Sequence, residues 1–420
     1  MAAKLHINSV KYTKSFEFLH IFVEKECFLY LYNIFLAQLD FFYLLCKKSK
    51  TLLSMTNIGK LHLVALTVAI AYCASALSQR ISEIPSTQVR LSDLFWAPRI
   101  EVNRTDSIPQ ASEECEQDAP TTCCETCAVI ANVHRNYRMF LATGESKYID
   151  VCERALYNNE VVSSMPSLAA SVPGFAYAVR ESSENSENSE TSELSPTIFV
   201  NLYLQSKVTV GKVELEQITD YPWDGKTRIR INKGGGWFVL KLRVPGWLKQ
   251  HSAAILPYTY IDRARPYSIK VNKRSFYPEI RDYITLKRRW KKGDVIELDL
   301  PMDVRRIKAN DNDEDLHGKV ALERGPIVFC LEGKDQADHH VFNKFILPSA
   351  PITAHFEADL LGGIMMLEGE AWQVEQSGEV SKTTFRAIPY AASKHRGHDQ
   401  MEVWVADNPT TASAASVGDD

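Results

Sequence analysis

Neither sign of charge dominates this chain: 48 Lys and Arg stand against 52 Asp and Glu, a formal net of -4 with a pI near 6.3, and the basic residues read as spread rather than clustered. That balance argues against a nucleic-acid surface. Cysteine is also scarce. Nine in 420 residues cannot staple a small disulfide scaffold, and the odd number leaves at least one thiol without an intramolecular partner, so metal binding stays open. A clean membrane-length apolar run is lacking too, because residues 1–54, though rich in Phe, Tyr and Leu, are broken by Glu17, Glu24, Lys25, Glu26 and Asp40.

What is present begins at Met55. Lys60 precedes the apolar run Leu61 to Tyr72, and Ala74-Ser75-Ala76 offers small residues for cleavage, so residues 55–76 read as a secretory signal peptide. An uncut signal anchor is the alternative. Residues 1–54 then read as a doubtful extension upstream of the true start. The chain is expected to be secreted into an oxidising compartment, without a stable membrane partner. The acceptable N-glycosylation sequon, Asn103-Arg104-Thr105, fits that route and makes Asn103 the expected glycan site.

Helical spacing of Ile130, Val133, Tyr137, Phe140 and Leu141 predicts a helix over 126–142, ended by Gly144. Tyr148, Val151, Cys152, Ala155 and Leu156 predict a second, giving an αα-hairpin. After an apolar stretch from Pro166 to Arg180, residues 181–195 form a Ser/Glu/Asn tract that reads as a disordered linker. Beyond it the period drops to two. Ile198, Val200, Leu202 and Leu204 mark one strand, Phe238 to Val244 another, and Ile296 to Leu300 a third after the Lys292-Gly293-Asp294 turn. These predict a β-sandwich over 196–332, a further β domain over 333–407, and a frayed tail over 408–420.

Several short stretches carry a resemblance. They are Val89-Arg90-Leu91-Ser92-Asp93 with Phe95-Trp96-Ala97-Pro98-Arg99, Glu125-Thr126-Cys127-Ala128, Glu153-Arg154-Ala155-Leu156-Tyr157-Asn158, Val200-Asn201-Leu202-Tyr203, Arg243-Val244-Pro245-Gly246-Trp247, Leu300-Pro301-Met302, Leu322-Glu323-Arg324-Gly325-Pro326, Ala387-Ile388-Pro389-Tyr390 and His395-Arg396-Gly397 followed by Met401 and Trp404. In this order they resemble glycoside hydrolase family 127, the β-L-arabinofuranosidase-like proteins. The resemblance implies an (α/α)6 barrel followed by β-sandwich domains, and hence an α+β multidomain chain. Twelve helices of about 11 residues with short loops need on the order of 200 residues, whereas Ser92 to Arg180 is all that precedes the linker. Residues 89–180 are therefore expected to be a truncated barrel, with jumps near Pro109 to Glu113 and Val162 to Pro166, and its two-helix hairpin is expected to expose apolar faces.

The resemblance also implies zinc held by one Glu and three Cys, one Cys acting as nucleophile and a separate Glu as acid/base, which together support a retaining glycosidase. Glu125 and Cys127 match the Glu-x-Cys ligands and are expected in an irregular turn just before the first helix, since a spacing of two divides ligands on a regular helix. Where the family carries adjacent cysteines, Ser163-Ser164-Met165-Pro166 stands instead, so the nucleophile is missing. Cys123 and Cys124 could rewire the cluster; disulfide pairing or exposure is the alternative. Glu113, Glu114 and Glu116 are the acid/base candidates, against a solvated acidic loop.

Other residues read as structural: Cys152 as a buried thiol, His395 and His398 as loop residues, Glu323 to Pro326 as a turn with an exposed ion pair, and Trp237, Trp247 and Trp290 as core rather than a sugar-stacking platform. The expected function is a carbohydrate-directed glycoside hydrolase, catalytically impaired in this form, acting on an arabinofuranoside-like glycan. The alternative is a non-catalytic carbohydrate-binding or structural β-sandwich.

Overall fold

A computed structural model describes residues 81–102, 124–158, 165–181, 196–249, 258–277, 282–309 and 314–415. The expected signal segment, Asn103, the acidic candidates Glu113, Glu114 and Glu116, Cys123 and most of the Ser/Glu/Asn tract lie outside them. The described residues are mostly β-sheet with few helices: α1 (Trp96–Val102), α2 (Cys124–Thr143), α3 (Ser146–Asn158), α4 (Met165–Ala176) and α5 (Pro409–Ala415). None is long and apolar enough to cross a membrane.

Two sheets form the centre. One runs in the order Ile81–Glu83, Tyr177–Arg180, Thr197–Val200, Gly236–Arg243, Tyr283–Trp290; the other in the order Arg274–Phe276, Ser268–Val271, Val295–Asp299, Lys226–Lys233, Val213–Thr219, Ser206–Val210, Val89–Leu91. Period-two patterning decides which face is wet. In Lys226–Lys233, Thr227, Ile229 and Ile231 are buried while Lys226, Arg228 and Arg230 face water. Ile229 and Ile231 share one continuous core with Leu240, Leu242, Ile284 and Leu286 of the five-stranded sheet.

The second face of the five-stranded sheet is covered by helix. Phe140 of α2 meets Phe199 edge to face at 5.6 Å and Tyr283 at 6.4 Å, and Tyr137 donates to the carbonyl of Gly174 at 2.8 Å. Apolar side chains expected to be left open are therefore buried: Val133, Phe140, Ile149 and Cys152 are all inaccessible to solvent. The sheet does what further helices were expected to do. Gly144 closes the hairpin with φ +74°, a left-handed conformation that favours glycine, its N–H returning to Phe140 O at 2.7 Å.

The third sheet has ten strands and takes Tyr258–Tyr260, Val304–Ala309, Lys319–Arg324 and Ile327–Glu332 together with the six strands after residue 333. Every described strand beyond residue 303 belongs to this sheet, so the chain leaves the other two sheets there and not at 332. The tract after Glu181 joins two antiparallel neighbours of one sheet, Tyr177–Arg180 and Thr197–Val200, so it connects a hairpin instead of separating domains. The expected frayed tail is corrected as well over residues 408–415, the rest lying outside the described residues. Asn408 caps α5, its Oδ1 accepting from Thr411 N at 3.0 Å, and Ala412 is fully buried.

Candidate functional site

Of the zinc ligands implied by the resemblance, Cys123 lies outside the described residues, and only the backbone is described at Cys124, Glu125 and Cys127. Cys124, Glu125 and Cys127 occupy the first turn of α2, so the supposed irregular turn is helical backbone, and positions two apart lie about 200° around a helix axis. Met165 and Pro166 open α4 just after Ser163-Ser164, which lie outside the described residues. Among the described residues no group of three or more His, Cys, Asp or Glu could hold a metal ion. No zinc chemistry is assigned to the described residues.

The other motifs converge on one face of α3. Asp150, Glu153, Arg154, Tyr157 and Asn158 recur at intervals of three and one, which sets them on one side of the helix. There Arg243, fully buried, donates Nε to Asn201 O at 2.6 Å, Nη1 to Asp150 at 2.5 Å and Nη2 to Glu153. Asp150 also accepts from Gly246 N at 2.9 Å, and Glu153 accepts from the Tyr221 hydroxyl at 2.6 Å, to which Trp247 donates at 3.3 Å. Burial raises the Glu153 carboxyl against the opposing pull of Arg243 and Tyr221. For Arg243, burial alone would lower the pKa, but the carboxylates of Glu153 and Asp150 outweigh it and the guanidinium stays charged.

One turn on, Arg154 meets Glu323 at 2.6 Å, and Tyr260 donates to the same carboxylate at 2.6 Å. Glu323 is 1% exposed, so the ion pair expected at the surface is buried, and its partner lies on α3 rather than beside it in sequence. Asn158 completes the seam: its Nδ2 donates to Pro326 O at 2.7 Å and its Oδ1 accepts from Val328 N at 2.6 Å. The recognisable segments around Glu153, Arg243 and Glu323 are thus the two sides of a helix–sheet junction. Their chemistry is cohesion.

Cys152 sits on the buried side of α3 as expected, its thiol donating to Val133 O at 3.3 Å and its pKa pushed up to about 12, chiefly by burial. His395 and His398 are exposed in a loop held by Arg396, which binds Glu332 at 2.6 Å and Asp335 at 2.5 Å. Asp93 caps α1, accepting from Phe95 N at 2.9 Å and from Trp96 N. Of the three tryptophans, Trp247 and Trp290 are core, but Trp237 is 51% exposed.

Two surface features were not anticipated. A cleft of about 450 Å³ on the wet face of the seven-stranded sheet is lined by Asp220, Asp224, Lys226, Arg228, Lys270 and Glu297 among others, and its charges partly neutralise one another, Arg228 reaching Glu297 at 3.5 Å. The second is the run Lys287-Arg288-Arg289-Trp290-Lys291-Lys292, a basic cluster where the composition suggested even spreading. It was legible as a K/R-rich hexamer.

Comparison with known proteins agrees with the motif order. Family models match in sequence: the GH127 β-L-arabinofuranosidase catalytic domain over residues 110–177, the middle domain over 197–302 and the family 127 C-terminal domain over 304–406. Such a set defines a multidomain chain of the glycoside hydrolase class. The chain belongs to glycoside hydrolase family 127. A solved GH127 β-arabinofuranosidase is similar at 33% identity and TM-score 0.61, covering 69% of this chain and 50% of its own. A GH127 β-L-arabinofuranosidase from Geobacillus stearothermophilus T6 is similar at 31% and 0.56, covering 67% and 49%. A non-reducing end β-L-arabinofuranosidase of Bifidobacterium longum subsp. longum is 22% identical over 268 residues, 58% of this chain and 36% of that protein. The chain therefore spans about half the length of the solved relatives and about a third of the curated one.

Proposed function

We propose that this chain is a glycoside hydrolase of the β-L-arabinofuranosidase type, directed at arabinofuranoside-bearing glycans, and that in this form its hydrolytic capacity is impaired. The observation that carries the reading is the contrast between the three matches. The middle and C-terminal models run nearly unbroken over 197–406, whereas the catalytic model matches 110–177 alone, in a segment with Ser163-Ser164 where the family has cysteines. Residues 89–180 are read as the remnant of an (α/α)6 barrel whose surviving helices serve as a brace for the β domains. Zinc is part of the proposal only as what an intact relative would need. Secretion through cleavage after the 55–76 signal is proposed with it, and N-terminal sequencing of the exported protein tests that directly.

The test of activity is an assay of the purified chain on an aryl β-L-arabinofuranoside with and without added zinc. No turnover in either condition is expected. Zinc-dependent release of the aryl group, at one zinc per chain, would overturn the impairment. The second reading, a non-catalytic β-sandwich that contacts carbohydrate, is favoured by the α3 seam, because Glu153, Arg154 and Asn158 are consumed in holding the sheets. Sequencing the transcript separates the two: extra barrel helices with a Cys-Cys segment would restore the enzyme.

A further inference from the structure

The structure assigns a carbohydrate surface at the end of the sandwich, and the partner it fits is a polyanionic, uronate-bearing polysaccharide. Tyr283–Trp290 is the edge strand of the five-stranded sheet, and its register with Gly236–Arg243 sets Arg289 opposite Trp237 and Lys287 opposite Val239. Alternation sorts the charges. Arg288 turns to the other side, its guanidinium 5.1 Å from the ring of buried Trp290, while Lys287 and Arg289 are exposed on the face that carries Trp237. Lys291 and Lys292, both exposed, extend the cluster round the following turn, which is pinned by Asp294 Oδ2 accepting from Lys291 N at 2.9 Å.

Three properties together favour an acidic glycan. Among the described residues Lys287, Arg289, Lys291 and Lys292 enter no ion pair, unlike Lys233, which is paired with Glu214 at 2.5 Å. Trp237 stands 51% exposed beside Arg289, with cross-strand Cβ atoms about 5 Å apart. An aromatic face that stacks on a sugar ring is thereby set beside a planar cation that can bind a carboxylate with two parallel hydrogen bonds, and Lys287 lies about 6.7 Å further along the strand, within reach of a neighbouring unit. Edge strands do carry Lys to prevent aggregation, but that purpose has no use for an exposed tryptophan, which would be a liability there. The turn before it is built for the placement. Gly236 adopts φ +113°, and a Cβ on Gly235 would lie 3.0 Å from Trp290 O, so the backbone comes down close against the edge strand just before Trp237 leaves it.

The surface deepens the carbohydrate-directed reading, but it needs no turnover. Affinity electrophoresis of the full chain in gels containing polygalacturonate tests it, with fully methyl-esterified pectin, neutral arabinan and a single-stranded oligonucleotide as the comparison arms. Expected is retardation by polygalacturonate, weak or absent with the esterified and neutral polymers, and loosened as NaCl rises from about 0.05 to about 0.3 M. The double variant Lys287→Ser/Arg289→Ser should weaken binding roughly tenfold or more, and Trp237→Ala roughly fivefold, as loss of charge-assisted hydrogen bonds and of a stacked ring requires. Lys270→Ser, in the cleft of the other sheet, should leave it unchanged. No retardation, retardation insensitive to these substitutions in chains with wild-type melting curves, or equal binding of the oligonucleotide would overturn the assignment. Each of those results leaves the aryl-glycoside assay unaffected, so the two proposals fail separately.

Discussion

The α3 seam and the cationic end of the edge strand treat charge in opposite ways. In the seam, Arg243 is shut away from solvent and each of its three nitrogens donates, to Asn201, Asp150 and Glu153. At the edge strand, Lys287, Arg289, Lys291 and Lys292 are exposed, and none forms an ion pair among the described residues. A buried charge costs several kcal/mol unless paired, and so fixes its partners wherever they lie in sequence. An exposed one costs little and is free to meet something else. Motifs that read as a family signature can therefore be scaffolding, while a run that belongs to no motif is the better place to look for a ligand.

The sharpest way to break this comparison is to remove the seam's cation. Arg243→Met should leave Glu153 buried without its counter-charge, while half-buried Asp150 keeps Lys249 at 3.9 Å, and should lower stability by about 3–5 kcal/mol, read by urea unfolding. A loss under about 1 kcal/mol would mean that the carboxyls simply take up protons and that the seam is not the anchor described.

Alkaline titration probes the same junction through Cys152. Its thiol is raised from about 9 to about 12 in the folded chain, so below pH 9 both states keep the proton and nothing changes. Between pH 9 and 12 the unfolded chain ionises while the folded one does not, so stability falls as pH rises through that window, by up to about 4 kcal/mol. Tyr177, raised to about 12 as well, contributes over part of the range. The quantity to measure is thus the difference in pH slope between the wild type and Cys152→Ala. Equal slopes would place the thiol in contact with water.

How much of this was readable beforehand follows from the range of the forces involved. Local periodicity gave α2, α3 and the alternating strands, and the Gly144 break, because those depend on neighbours within a turn or two. The burial of Glu323 was not legible, since its partner Arg154 is 169 residues away and Glu323-Arg324 reads locally as a surface pair. The tail was misread for a related reason: Ala, Ser and Thr after Asn408 look unstructured until Asn408 caps a helix whose Ala412 is buried against Phe345 and Ala406. The proposed metal ligands were legible only through resemblance, which names residue types and carries no geometry.

A smaller effect separates packing from hydrogen bonding in the seam. Asn158→Ala removes the bonds to Pro326 O and Val328 N and leaves the buried Tyr157 beside it intact. About 2 kcal/mol should be lost, near 1 for each bond. Arg154→Ala combined with it should give a loss beyond the sum or short of it, because both residues hold the same hairpin between Lys319–Arg324 and Ile327–Glu332. Strict additivity in that cycle would show that the two contacts act as separate pins.

The smallest expected change lies at the other pole of the comparison. Lys287→Ser/Arg289→Ser removes two of four neighbouring cations that repel one another, so melting temperature should stay the same or rise slightly, and the rise should vanish at about 0.5 M NaCl, where the screening length is a few ångströms. Trp237→Ala should be similarly silent, because half of that side chain is already in water. The pairing of a silent melt with a lost glycan complex is what distinguishes a binding surface from a structural one. A marked drop in melting temperature for either variant would mean that these side chains hold the sandwich together, as Arg243 does, and that the contrast between the two regions is one of degree.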